Sequence, residues 1–280
     1  SVEARASLRE AVRCAEAAGA AAYESLVVAL LMLGTVLSDL GEIGEAREVF
    51  ERVLALAHAQ GDRFHEIAAL NNRRLMWIAE KDLARAAADL RAQLDIGRAL
   101  GLVLVELVGT YNLGELLYQA GDAEAARPHV ERAVALAARR GDLLPRPLAR
   151  LLELRLLAFE GRWPEVRERG AALAELHRAA RVRGQPEAEL LPGEELLLDA
   201  ILLASDGGGD DAWAELRARS ARCAEEQQPI EVLELQALGA LRAGDPAAAR
   251  RALGEALEVA RRIPNVMEAR LLGRLAALGA

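Results

Sequence analysis

The chain repeats itself. Leu33-Gly34, Leu37, Gly41, Ala46, Phe50 and Val53 return 80 residues later as Leu113-Gly114, Leu117, Gly121, Ala126, Val130 and Ala133. Midway between them stand Trp77, Ala86 and Leu90, and one step beyond come Leu154, Leu157, Gly161 and Val166. One step backwards from Ala46 lands on Ala6. A 40-residue period restricts the fold sharply. Each unit is one supersecondary element that cannot cover its own apolar face, so neighbouring units must stack to form a core.

Within a unit, two stretches carry apolar residues at i, i+3, i+4 and i+7, the spacing of one helix face. A glycine followed by an acid separates them: Gly41-Glu42, Gly121-Asp122 and Gly244-Asp245. Glycine takes the left-handed conformation that closes a helix, and the acid suits the N-terminus of the next one. The small residues Gly34, Gly114, Ala46, Ala86 and Ala126 let the paired helices approach to about 8–10 Å. No pair of alternating strands is visible. With 52% hydrophobic and 28% charged residues, the composition excludes a disordered chain.

At these positions the sequence resembles the tetratricopeptide repeat family. Its W-x2-L-G-x2-Y…A-x3-F pattern is carried by Leu33-Gly34-(x2)-Leu37…Ala46-(x3)-Phe50 and by Leu113-Gly114-(x2)-Leu117…Ala126-(x3)-Val130. The spacing exceeds the usual 34 residues and is similar to a longer variant. The phrase Gly61-Asp62…Leu70-Asn71-Asn72 strengthens the comparison. The resemblance implies an all-α, right-handed superhelical solenoid of antiparallel helix pairs, about six pairs plus two odd helices. It also implies a role as an arm of bacterial signalling ATPases, kinases or transcriptional activators. The chain is expected to be a single solenoid: regular repeats over 1–183, an irregular insertion at 184–210, and C-terminal repeats with a capping helix, Asn265 to Leu278, over 211–280. The segment around Ala6 reads as a second helix lacking its first. Together with a start at Ser1, this gives the expectation of a piece cut from something longer.

The 35 Lys+Arg residues face 43 Asp+Glu, for a net charge of -8, which speaks against direct nucleic-acid binding. Lys81 is the single lysine. Cys14 and Cys223 are too few and too far apart for a disulfide framework. They read as free, buried thiols of a cytoplasmic protein. The longest apolar run, Leu26 to Leu37, falls short of the roughly 20 residues that span a bilayer, so no membrane partner is expected.

Motifs for chemistry are scarce. His65-Glu66 starts like a zinc-protease H-E-x-x-H but has Ala69 in place of the second histidine. His58, His65, His129 and His177 show no paired spacing and read as helix-surface or groove residues. Gly207-Gly208-Gly209-Asp210-Asp211 lacks the Lys-Ser/Thr of a phosphate loop, and a flexible turn outweighs a loose cation site formed with Asp206. No catalytic residue, metal or cofactor is expected. Between Arg139 and Arg183 lie eleven arginines and six acids. Local pairing on a solvated face competes there with a docking surface for an acidic partner.

The family binds partners in the groove lined by its first helices. Carried over by register, the groove positions are Asn71, Asn72, Tyr111, Asn112, Glu115, Tyr118, Gln119 and Arg155, with Arg74 added. Asn72 and Asn112 are one period apart, and three of the four asparagines fall here. Asparagine can donate to and accept from a peptide backbone at once, and tyrosine adds area with a polar tip. The competing reading is that the asparagines bridge neighbouring helices. Arg73-Arg74 replaces the small L-G contact, so these arginines either reach solvent or face a ligand. Trp77, Trp163 and Trp213 read as core. The function expected is protein or peptide recognition in the concave groove by a sensor or regulatory arm of a larger bacterial signalling or transcription-regulating protein. The alternative is a free-standing adaptor or self-associating scaffold, with a homodimer through the N-terminal helices, where Val27 to Leu37 lacks a covering helix.

Overall fold

The computed structural model describes residues 2–140, 147–223, 227–263 and 265–279. Every regular element among them is helical: α1 (Val2–Ala18), α2 (Tyr23–Asp39), α3 (Ile43–Gln60), α4 (Arg63–Ala79), α5 (Leu83–Ala99), α6 (Val103–Ala120), α7 (Ala123–Arg140), α8 (Leu148–Phe159), α9 (Trp163–Arg183), α10 (Pro192–Asp206), α11 (Asp210–Ser220), α12 (Gln228–Arg242), α13 (Pro246–Ala260) and α14 (Glu268–Ala277). Short 3-10 turns cover Gly19–Ala22 and Pro186–Ala188. Six helix pairs, α2/α3 to α12/α13, stand between the odd helices α1 and α14, as the repeat predicts.

The period is written into the turns. Residues with positive φ fall at Gly41 (76°), Gly61 (67°), Lys81 (61°), Gly101 (65°) and Gly121 (90°), one every 20 residues, and again at Gly161 (72°). The acid after the turn closes the next helix. Asp62, Asp82, Asp122 and Asp245 accept from the backbone N–H of His65, Arg85, Ala125 and Ala248 at 2.8–3.1 Å, satisfying donors the first turn cannot. The Leu-Gly contact is as tight as its pattern implies. A Cβ added to Gly34 would lie 2.6 Å from the Phe50 ring.

The chain divides into two compact units, residues 1–113 and 114–280. In the first, the core is Val27, Leu30, Leu33 and Leu37 of α2 with Ala46, Phe50 and Val53 of α3 and Val12 of α1. α2 therefore does not lack a cover: α1 lies on one side of it and α3 on the other. By length and composition alone the segment Val2–Asp39 would pass as able to cross a membrane. Its apolar surplus over an ordinary helix is spent on two packing partners and on the exposed Val28 and Met32.

In the second unit, Leu151, Leu154 and Leu157 of α8 pack with Val166, Leu173, Leu196, Ile201, Trp213 and Val232. Ile230, Leu233, Leu253, Met267 and Leu271 join α12, α13 and α14. The stretch 184–210 is not irregular throughout. Residues 184–191 and 207–209 connect, and between them α10 forms the first helix of an ordinary pair, starting with Pro192 at its first position, where proline's missing N–H costs nothing. The last helix begins at Glu268 rather than Asn265. The buried Asn265 instead bonds the backbone of Ala260, Ile263 and Met267, shaping the turn before it.

Candidate functional site

Five of the proposed groove residues lie in the first unit, on α4 and α6. Asn71, Asn72, Arg74, Tyr111 and Asn112 are all half-buried. Asn112 Nδ2 donates to Asn71 Oδ1 at 3.5 Å, and Arg74 Nε donates to the same oxygen at 3.3 Å. The asparagines thus do bridge neighbouring first helices, and they do so at the surface, where their amides can also meet a partner.

Around them lies an apolar surround that the sequence reading missed. Val28 and Met32 on α2, Phe64 and Leu75 on α4, and Leu104 and Val108 on α6 are exposed, Phe64 by 74%. They obey the repeat: 64 and 104 are one period apart, and 28 and 108 are two. On α6 Leu104 and Val108 stand at i and i+4 with Tyr111 and Asn112 at i+7 and i+8, on α4 Phe64, Asn71, Asn72 and Leu75 stand at i, i+7, i+8 and i+11, and on α2 Val28 and Met32 are four apart, so on each helix they share one face. The available signal was that α2 and α6 carry more apolar residues than one buried stripe needs.

Arg73 does not face a ligand. Its guanidinium grips the buried Asp89 of α5 through Nε (2.9 Å) and Nη2 (2.6 Å), and Trp77 Nε1 donates to the same carboxylate at 3.0 Å. Arg47, Arg73 and Arg85 lie against the Trp77 ring with guanidinium carbons 5.2, 5.7 and 4.8 Å from its centre. This polar node stands at the register that Leu33-Gly34 and Leu113-Gly114 occupy in the flanking repeats. Trp77 and Trp213 are buried and Trp163 packs against the core, as expected.

The other four residues lie in the second unit, and three of them take part in an interior ion network. Arg155, 4% exposed, binds Glu231 of α12 in bidentate fashion at 2.8 and 2.6 Å and Glu115 at 2.8 Å. Tyr118 is 3% exposed, with Arg155 and Arg270 at 4.9 and 4.6 Å from its ring. Burial pushes the Tyr118 phenol up to about 12. Burial likewise raises the Glu231 carboxyl against the pull of Arg155 and Arg270. Arg155 and Tyr118 are therefore interior residues rather than groove lining, because Glu231 of α12 closes over Arg155 and Arg270 of α14 over Tyr118. Gln119 is half-buried near the end of α6.

The remaining polar features resolve into local structure. His65 is buried rather than on the surface. Its Nδ1 lies 2.6 Å from Asp62, which also accepts from Tyr23 Oη at 3.0 Å. Burial by itself would raise the Asp62 carboxyl, but the bonds from His65 and Tyr23 outweigh it and hold it low. Burial and the bond to Asp62 push the Tyr23 phenol up to about 12. His177 is also buried and accepts from Leu190 N–H at 3.0 Å, clasping the 184–191 connection. Among the basic residues of 139–183, Arg162 and Arg178 pair with Glu165 and Glu175 one turn away, Arg169 with Glu153, and Arg181 with Glu195. That favours a solvated, locally neutralised face. Asp142 and Arg146 lie outside the described residues. Gly207, at φ 83°, ends α10, and Asp210 and Asp211 begin α11, which makes the glycine run a turn. Both cysteines are free, but Cys14 is exposed. Val12 and Ala15 form the buried side of α1, and Cys14 points away from it.

Tetratricopeptide repeat models match residues 27–59 and 107–132, the segments of α2/α3 and α6/α7, set two periods apart. A solved tetratricopeptide repeat protein from Parabacteroides merdae ATCC 43184 is similar over 99% of this chain and 100% of its own, at 15% identity and a TM-score of 0.52. No curated protein matches the chain. Period, turn chemistry, helix pairing and both family matches agree: the chain carries tetratricopeptide repeats, helical-repeat units of protein interaction, in α2/α3 and α6/α7, and its fold is that of a helical-repeat protein.

Proposed function

We propose that the chain recognises a peptide segment on the open first-helix face of residues 1–113. It does so without catalysis, as the sensor or regulatory arm of a larger bacterial signalling or transcription-regulating protein in the cytoplasm. The observation that carries this is the combination on one face of Asn71, Asn72, Asn112 and Tyr111 with the exposed Val28, Met32, Phe64, Leu75, Leu104 and Val108. Amides supply donors and acceptors to a peptide backbone, while the surrounding apolar side chains cover the peptide's own. Six exposed apolar side chains arranged in register on one face suit a binding surface better than ordinary solvated helices, whose exposed apolar residues are scattered singly.

The test is a peptide array probed with the full chain, followed by Asn72→Ala/Asn112→Ala. Two lost hydrogen bonds of about 1 kcal/mol each correspond to a loss of tenfold or more in affinity for the selected peptides, with an unchanged melting temperature. A folded double variant with full affinity would sink the assignment. A second reading, a self-associating scaffold, draws on the exposed Val28 and Met32 of α2. A chain that stays monomeric in sedimentation at high concentration removes it.

A further inference from the structure

Helix α14 is attached to the second unit in an unusual way. Arg270 Nη1 donates to the backbone oxygen of Tyr118 at 2.8 Å, with its guanidinium 4.6 Å from that residue's ring centre. One turn further, Arg274 lies 3.9 Å from the Phe159 ring centre and its Nη2 donates to the Phe159 backbone oxygen at 3.4 Å. The two sockets are copies of each other. Each is an aromatic residue in the last turn of a first helix, α6 or α8, offering its ring face and its own carbonyl. The negative end of a helix dipole lies there, and ring faces attract cations. Glu234 of α12 stands between the sockets, pairing with Arg270 Nη2 at 2.5 Å and with Arg274 Nε at 3.0 Å.

From this duplicated geometry we infer that the Tyr118–Phe159–Glu234 wall is a docking site for a helix bearing two arginines four residues apart, and that α14 is its tethered occupant, which a partner helix of the same chemistry displaces. Charge complementarity commits the wall to a basic ligand: it offers one carboxylate, two carbonyls and two ring faces.

The hold of α14 suits exchange. Arg270 and Leu271 are its two buried residues: Leu271, with the partly buried Leu275, packs on the core of α12 and α13, and the rest of the hold runs through the guanidinium groups of Arg270 and Arg274. Arg270 Nε and Glu234 Oε1 are buried without an aligned hydrogen bond, and an incompletely satisfied buried ion network contributes little net stability. This wall belongs to the second unit and shares no residue with the peptide face proposed above.

The experiment uses the full chain and a labelled peptide with the sequence of residues 265–279. Arg274→Ala is the first variant, because Arg274 is partly exposed and its loss leaves Arg270 on Glu234. Wild type should bind the peptide weakly, since its own α14 competes at high effective concentration. Arg274→Ala should bind at least tenfold more tightly. A peptide with both arginines replaced by glutamine should lose tenfold or more against either chain. Should Arg274→Ala fail to fold, hydrogen exchange of wild type with excess peptide provides the readout: amides of α14 must speed up while those of α12 and α13 do not. Equal binding of the arginine and glutamine peptides, or unchanged exchange in α14 at millimolar peptide, overturns the inference.

Discussion

Lys81 holds a backbone conformation that its neighbours in the repeat assign to glycine. Its φ is 61°, where Gly41, Gly121 and Gly161 stand at 76°, 90° and 72°, and it is the only non-glycine with positive φ among the described residues. The left-handed region costs an L-residue about 1–2 kcal/mol, and glycine gives back roughly 0.5–1 kcal/mol through its greater freedom in the unfolded chain. Lys81→Gly is therefore expected to stabilise the protein by about 0.5–1 kcal/mol, a rise of a few degrees in melting temperature for a domain of this size. The mirror experiment is Gly41→Ala. Nothing lies within 4 Å of an added Cβ at Gly41, so the change tests conformation without packing, and it should destabilise by about 1 kcal/mol. Urea and thermal denaturation followed by circular dichroism measure both. If Lys81→Gly lowers stability, or Gly41→Ala leaves it unchanged, the turns are not what sets the 20-residue spacing.

Two further perturbations follow from the polar nodes. Asp89→Ala removes a carboxylate that accepts from Arg73 twice and from Trp77 once; with Arg73 only half-buried, chemical denaturation should show a loss of about 2–3 kcal/mol, below the 3–5 kcal/mol of a fully buried pair. Tyr23 and Tyr118 are raised to about 12 from an unfolded value of about 10. Folding favours the protonated phenol, so the stability they contribute is complete below about pH 10 and is lost as the pH rises towards 12. Phenolate absorbance across that range should show both tyrosines ionising only as the helices unfold. Ionisation of all three tyrosines near pH 10 in a folded chain refutes it.

What could be read from the sequence was whatever repeats locally. Gly34 facing Phe50 and the acid caps at Asp62, Asp122 and Asp245 each involve residues within one helix pair, and a period displays them directly. Arg73 was half legible: its intrusion into the Leu-Gly contact was visible, but the answering Asp89 lies on the next helix with no fixed motif. Arg155 and Tyr118 were misplaced because their partners come from far along the chain, Glu231 being 76 residues from Arg155. One clue was available. α8 is apolar nearly all the way round, which marks a helix covered on every side.

The same register positions meet opposite fates in the two units, and this confines the peptide site. Asn71, Tyr111 and Leu151 are successive copies of one position, and Asn72, Asn112 and Leu152 of the next. In the first unit they are half-buried on an open face, whereas Leu151 and Leu152 are 2% and 0% exposed. Copying the asparagine forward should therefore not extend the site. Leu152→Asn removes a core side chain, worth about 2–5 kcal/mol, and buries an amide with no partner, adding about 1–3 kcal/mol, so it should unfold the second unit. Asn72→Leu should change stability by less than about 1 kcal/mol, because the half-buried Asn72 lies on an open face away from the core, while lowering peptide affinity. If Leu152→Asn were tolerated and bound peptide more tightly, the face would have to be open at α8 as well. The boundary between recognition and core would then lie further along the chain than the burial of Leu151, Leu152 and Arg155 places it.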